Sequence, residues 1–122
     1  MSRPALRGVI VVRAVIASVL VCMACACTPQ EPARQFNYVI PEGMAGLIAT
    51  NRAPEIFPPN LVVHVGDSIT IVNDDRVDQE VGPYLVKAKT KISQHFSSPG
   101  VLEGSCKMSL GGKLTVTILP KA

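Results

Sequence analysis

The sequence predicts an all-β sandwich of about seven short strands with one short helical turn. Three observations point there. Val and Ile recur in short runs with period-two alternation, and β-branched side chains fit a pleated, half-buried surface. Ten Pro and nine Gly punctuate those runs at the regular spacing of a sandwich or barrel. Only one stretch has helical spacing, and it is too short to be more than a turn or two.

Phe36 to Ile40 (FNYVI) alternates and reads as the first strand, ended by Pro41-Glu42-Gly43. Met44, Leu47 and Ile48 have helical spacing within residues 44–51. A Pro-rich loop follows over residues 53–60. Leu61 to Val65 and Ser68 to Asn73 read as strands joined by a tight turn at Gly66-Asp67. Asp74 to Asp78 reads as a solvated acidic loop. Residues 80–86 (EVGPYLV) read as one edge or bulged strand, because Gly82-Pro83 interrupts an apolar run. Lys87, Lys89 and Lys91 alternate and are expected on one exposed strand face. Residues 90–96 place Ile92, Gln94 and Phe96 on one side and His95 toward solvent. Residues 101–107 lead into Cys106, and Leu114 to Leu119 closes the fold with Leu114, Val116 and Ile118 facing inward.

The N-terminus has a different character. Arg3, Arg7 and Arg13 precede the uncharged run Ala14 to Met23, followed by the small-residue segment containing Cys22, Cys25 and Cys27. A basic start, an apolar core and small residues at its end describe a secretory signal. The cysteine segment resembles the lipobox of bacterial lipoproteins, which implies acylation of Cys27, or of Cys25. The expected organisation is a leader over 1–27, a polar Pro-rich tether over 28–35 and one domain over 36–122. This places the protein outside the cytoplasmic membrane, lipid-anchored at its outer face, with the membrane as one partner and an envelope redox or protein partner as another. The leader also carries the basic balance. Without it, nine Lys+Arg face nine Asp+Glu, so the folded part offers no basic footprint for nucleic acid.

The stretches VVHVGDSITIVNDD, VGPYLV and HFSSPGVLEGSCKMSLGGKLTVTI together resemble the cupredoxin-like proteins, the small blue-copper fold. The resemblance spans roughly residues 39–119. It implies a Greek-key β-sandwich, copper binding and one-electron transfer, through two imidazoles, a thiolate and a weak axial thioether. The thiolate position is occupied by Cys106. The imidazole positions fall on Gln79 and Ser109, and the axial position falls in Leu110 to Lys113, where there is no Met. Met108 is the nearest substitute sulfur, giving a possible Cu(I) site with Cys106 helped by one histidine. His64 and His95 also read as half-buried or surface strand residues, and Cys106 as an inert buried thiol.

Two function classes therefore stand side by side. One is a copper-binding electron carrier of the envelope. The other is a metal-free binding or accessory module on the same scaffold. An enzyme is not expected: two histidines, no phosphate loop and no H-E-x-x-H leave little for acid–base or metal hydrolysis.

Overall fold

The computed structural model describes residues 31–122. The leader, with the candidate acylation cysteines Cys25 and Cys27, and the start of the tether lie outside the described residues. Among the described residues eight strands form: β1 (Gln35–Ile40), β2 (Asn60–His64), β3 (Ser68–Asn73), β4 (Gln79–Val81), β5 (Tyr84–Val86), β6 (Lys91–His95), β7 (Gly100–Ser105) and β8 (Lys113–Leu119). One helix, α1 (Met44–Ala49), and a 3-10 turn at Leu110–Gly112 complete the elements.

The strands build two facing three-stranded sheets, β1-β3-β6 and β2-β8-β7, with β4-β5 as a separate two-stranded ribbon. The chain passes between the sheets at β1→β2, β2→β3 and β6→β7, so neither sheet is a simple meander. Two pairings, β1 with β3 and β2 with β8, are parallel and require those crossovers. The result is the Greek-key β-sandwich the sequence predicts. Alternation decides which residues fill it. Ile69 and Ile71 of β3, Leu61 and Val63 of β2, and Leu114, Val116 and Ile118 of β8 point inward and are buried. Phe57 and Phe96 are the largest fully buried side chains, and burying a side chain of this size contributes about 1.5–3 kcal/mol. Phe57 also stacks at 4.8 Å on Tyr38 of β1, tying the Pro-rich loop to the core.

Asp67 closes one end of the sandwich. Its buried carboxylate accepts from the backbone N–H groups of Arg34 and His64, both at 2.8 Å, and from the Arg34 guanidinium at 3.5 Å. Its carbonyl accepts from Phe96 N at 2.9 Å. The tight turn expected at Gly66-Asp67 therefore joins the starts and ends of β1, β2 and β6.

Three expectations are corrected. Residues 80–86 are two strands, β4 and β5, because Gly82-Pro83 makes a two-residue turn with Gly82 at φ 57° and Val81 paired to Tyr84. Lys87, Lys89 and Lys91 do not share a strand face. Residues 87–90 form a turn closed by Thr90 N to Lys87 O at 3.2 Å, with Lys89 at φ 59°, and only Lys91 lies in a strand. The acidic loop is not uniformly solvated, since Asp75 is buried. In addition, β1 begins at Gln35, the last residue assigned to the tether.

The β4-β5 turn packs on β7 at a point that admits no side chain. A Cβ on Gly104 would lie 2.1 Å from the carbonyl oxygen of Gly82. Gly104→Ala must push the ribbon off β7, so it is expected to lower the unfolding free energy by about 3 kcal/mol, measured as a reduced urea midpoint.

Candidate functional site at the Cys106 corner

Cys106 follows β7 directly and starts a loop that folds back on itself. Its N–H donates to Gly112 O at 2.9 Å, Ser109 N donates to Cys106 O at 3.2 Å, and Gly112 N donates to Ser109 O at 3.0 Å. The loop is thus closed at Gly112, the residue before β8. The backbone at Cys106 also bridges to Val81 of β4, and Gly82 N donates to Ser105 O at 2.8 Å. On its other side, the loop is fastened to the Pro-rich segment. Met108 O accepts from Ile56 N at 2.9 Å and Phe57 N at 3.2 Å, and Ser109 bridges to Phe57.

The side chains of this loop face inward at two successive alternate positions. Cys106 and Met108 are both buried in the hydrophobic core. Burial pushes the Cys106 thiol up. Backbone N–H groups of Met108 and Gly82 near the sulfur pull the other way, but less. Burial thus favours the neutral thiol, the less nucleophilic form. Ser109 is buried too, and its hydroxyl has no hydrogen-bond partner among the described residues.

Gln79 lies on the inner face of β4 with Val81. Its amide donates from Nε2 to Asp75 Oδ2 at 3.1 Å. Asp75 is the centre of a knot. Its carboxylate also accepts from Gly43 N at 3.1 Å, Ala45 N at 2.8 Å and Arg76 N at 2.8 Å. Its own N–H donates to Asn73 Oδ1 at 3.0 Å, while Asn73 Nδ2 donates to the carbonyls of Val77 and Val86, each at 3.0 Å. Asp75 thereby caps the start of α1 from a different part of the chain. Burial pushes its carboxyl up, but the donors from Ala45, Arg76, Gly43 and Gln79 outweigh burial and hold it below the ordinary carboxylate value. Asp67 is held below that value in the same way, by the N–H groups of Arg34 and His64 and by the Arg34 charge. The role of Asp75 was missed in the sequence. The Asn73-Asp74-Asp75 cluster at a strand end was its signal, because Asx side chains bond backbone groups of the following turn.

The histidines lie elsewhere. His64 pairs with Leu119, six residues beyond Lys113 along β8. At the rise of a strand this puts it about 20 Å from the Cys106 loop. Its Nδ1 lies 3.2 Å from the Arg34 guanidinium. His95 pairs with Ser68, the first residue of β3, while Gln79 lies beyond the last residue of that strand. It is exposed, with Nδ1 3.2 Å from Ser68 Oγ. The arrangement of Cys106 and Met108 helped by one histidine is therefore not formed: both imidazoles lie at the other end of the sandwich. Among the described residues, no three His, Cys, Asp or Glu side chains converge in a way that would hold a metal ion.

No protein-family model matches this chain, and no curated protein matches it. Solved structures do. A purple cupredoxin from Nitrosopumilus maritimus is 21% identical, with 68% of this chain and 98% of that chain covered and a TM-score of 0.44. A Cu(I) amicyanin variant is 17% identical, with 69% and 81% covered and a TM-score of 0.44. A reduced amicyanin variant is 17% identical, with 78% and 87% covered and a TM-score of 0.43. The Greek-key β-sandwich fold rests on this chain's own strand order. No residue role is carried over from these structures.

A trigonal copper centre needs two imidazoles beside a thiolate. The residues at the two imidazole positions do not fit that group: an amide already bound to a carboxylate and a buried hydroxyl stand there instead.

The Asp75 knot has a measurable consequence. Because the folded-state pKa of both Asp75 and Asp67 lies below the ordinary carboxylate value, their stabilisation is complete above that value and is lost as pH falls through the folded-state values. Stability is expected to drop on acidification below about pH 4. Asp75→Asn leaves backbone donors unpaired and is expected to cost about 2–3 kcal/mol at neutral pH. It should also make the acid limb of the stability–pH curve shallower, as followed by denaturant unfolding at a series of pH values.

Proposed function

We propose that this protein is a metal-free, cupredoxin-like binding or accessory module of the cell envelope. It is exported across the cytoplasmic membrane and held at its outer face through an acylated Cys27 or Cys25. The observation that carries the metal-free reading is the state of Gln79. Its amide is committed to Asp75 at 3.1 Å, and Asp75 in turn holds the start of α1. The position that would supply one imidazole instead braces the scaffold. The anchor is supported by the basic start, the apolar run and the small-residue cysteine segment of the leader. Stable attachment needs more than one acyl chain, as a lipoprotein cysteine provides.

A second reading keeps copper without histidine. It is favoured by the burial of Cys106 and Met108 in one loop, since soft thiolate and thioether ligands select Cu(I).

Copper titration of the full-length protein, extracted from membranes in detergent, separates the two. On the metal-free reading, neither Cu(II) nor Cu(I) under reductant stays bound after dialysis, and no intense thiolate charge-transfer band develops. Stoichiometric copper that disappears in Cys106→Ser would establish the copper reading instead. The anchor has its own check. The mass of the N-terminal peptide should correspond to an acylated cysteine at 27 or 25, and an unmodified mature N-terminus would remove it.

A further inference from the structure

Two clefts lie side by side at the Cys106 corner. The first, about 400 Å³, runs between the Pro-rich loop and the Leu110–Gly112 turn. The second, about 260 Å³, runs between α1, β4 and the end of β7. They share two lining residues, Ile48 and Lys107, so together they form one groove with Ile48 and Lys107 at its middle. The larger cleft alone is within the range that holds small ligands, about 300–1,000 Å³.

The lining is patterned. Glu55 lies in the first cleft, and Asp78 and Glu80 in the second. Lys107 is the only cationic residue lining either cleft; Arg52, close by in the chain, lines neither. None of these four charged side chains makes an ion pair among the described residues. Apolar side chains accompany the acids at both ends. Leu110 in the first cleft is 71% exposed and Val77 in the second is 49% exposed, so both are open to contact with an occupant. The groove therefore offers carboxylates at each end, apolar contacts alongside them and an excess of negative charge.

We infer that this groove binds an extended basic peptide segment of a partner protein, with cationic side chains toward both ends and an apolar side chain between. This deepens the binding-module reading above and rests on it. An extended chain presents alternate side chains on one face, about 6.5 Å apart, so a basic–x–apolar–x–basic pattern places its cations toward the acids of the two clefts and its apolar side chain toward Ile48, which lines both. A compact ligand would fill one cleft and leave the acids of the other unpaired. Lys107 works against such an occupant, and that sets the sign of one variant.

The test uses the full-length protein in detergent and two fluorescein-labelled probes, Lys-Ala-Leu-Ala-Lys and Glu-Ala-Leu-Ala-Glu, both blocked at their termini, followed by fluorescence anisotropy. The basic probe should bind saturably and weaken as salt rises, and the acidic probe should not bind. Each exposed charge is expected to change affinity about threefold. Glu55→Gln with Glu80→Gln should thus weaken the basic probe about tenfold, whereas Lys107→Gln should tighten it about threefold. Leu110→Ser should weaken it at unchanged salt dependence. These side chains are exposed, and an unchanged thermal midpoint in each variant verifies folding. Absence of saturable binding, equal binding of both probes, indifference to the charge variants, or displacement of the probe by spermidine at equal concentration would each overturn the inference. Copper retained through Cys106 would instead overturn the metal-free reading, and the anisotropy data would stand apart from it.

Discussion

A buried carboxylate with every oxygen occupied holds this molecule's functional corner. Asp75 is almost fully excluded from water, and an ionised group placed there is costly unless hydrogen bonds replace its hydration. Four donors do so, three from the backbone and one from Gln79. They come from the β1–α1 connection, the first turn of α1, the β3–β4 loop and β4 itself. The position of α1 therefore depends on Asp75, since the helix is only six residues long and its N-cap Gly43 has no side chain to cap it. The orientation of Gln79 depends on it as well. Through β4, the bridge from Val81 to Cys106 follows.

The opposite end obeys the same physics with different partners. Asp67 gathers the N–H groups of Arg34 and His64 and a guanidinium, while its own carbonyl receives Phe96. Both knots sit where a strand meets a tight turn, the places in a sandwich where backbone donors run out of ladder partners. Between them the hydrophobic layers supply most of the driving force, and the knots decide which residues meet at each end. Both lose their charge on the same side of neutrality, so acid loosens the two ends together.

Much of the fold was legible in the chain because alternation is a local signal. Ile69 and Ile71, or Leu114, Val116 and Ile118, could face only one way once their strands were recognised. The misreadings have physical causes. Residues 80–86 look like one apolar run, and only the pairing of Val81 with Tyr84 reveals that Gly82-Pro83 reverses the chain. The Lys87–Lys91 alternation carries no strand signal beyond spacing, and the turn there is set by Thr90 bonding back to Lys87 through both its N–H and its hydroxyl. Asp75 sits among Asp74, Asp78 and Glu80, which are exposed; nothing in composition separates the one carboxylate that turns inward. At the site, the absence of imidazole at residues 79 and 109 was plain from the letters. What Gln79 does instead was not, because its partner lies across a loop.

The commitment of Gln79 bears on how the corner is held together. A side-chain amide ties β4 to the carboxylate that caps α1, and the Cys106 loop is closed by its own backbone bonds to Gly112 and Ser109. These bonds leave the two sulfurs inside the core and the charged side chains outside. Lys107, between buried Cys106 and buried Met108, is turned to the surface by strand-like alternation, where it lines both clefts. The arrangement that buries the thiol is thus the one that presents Lys107 and Leu110 at the surface. A change that turned Cys106 outward would reverse the alternation of residues 106–108 and remove Lys107 from the groove.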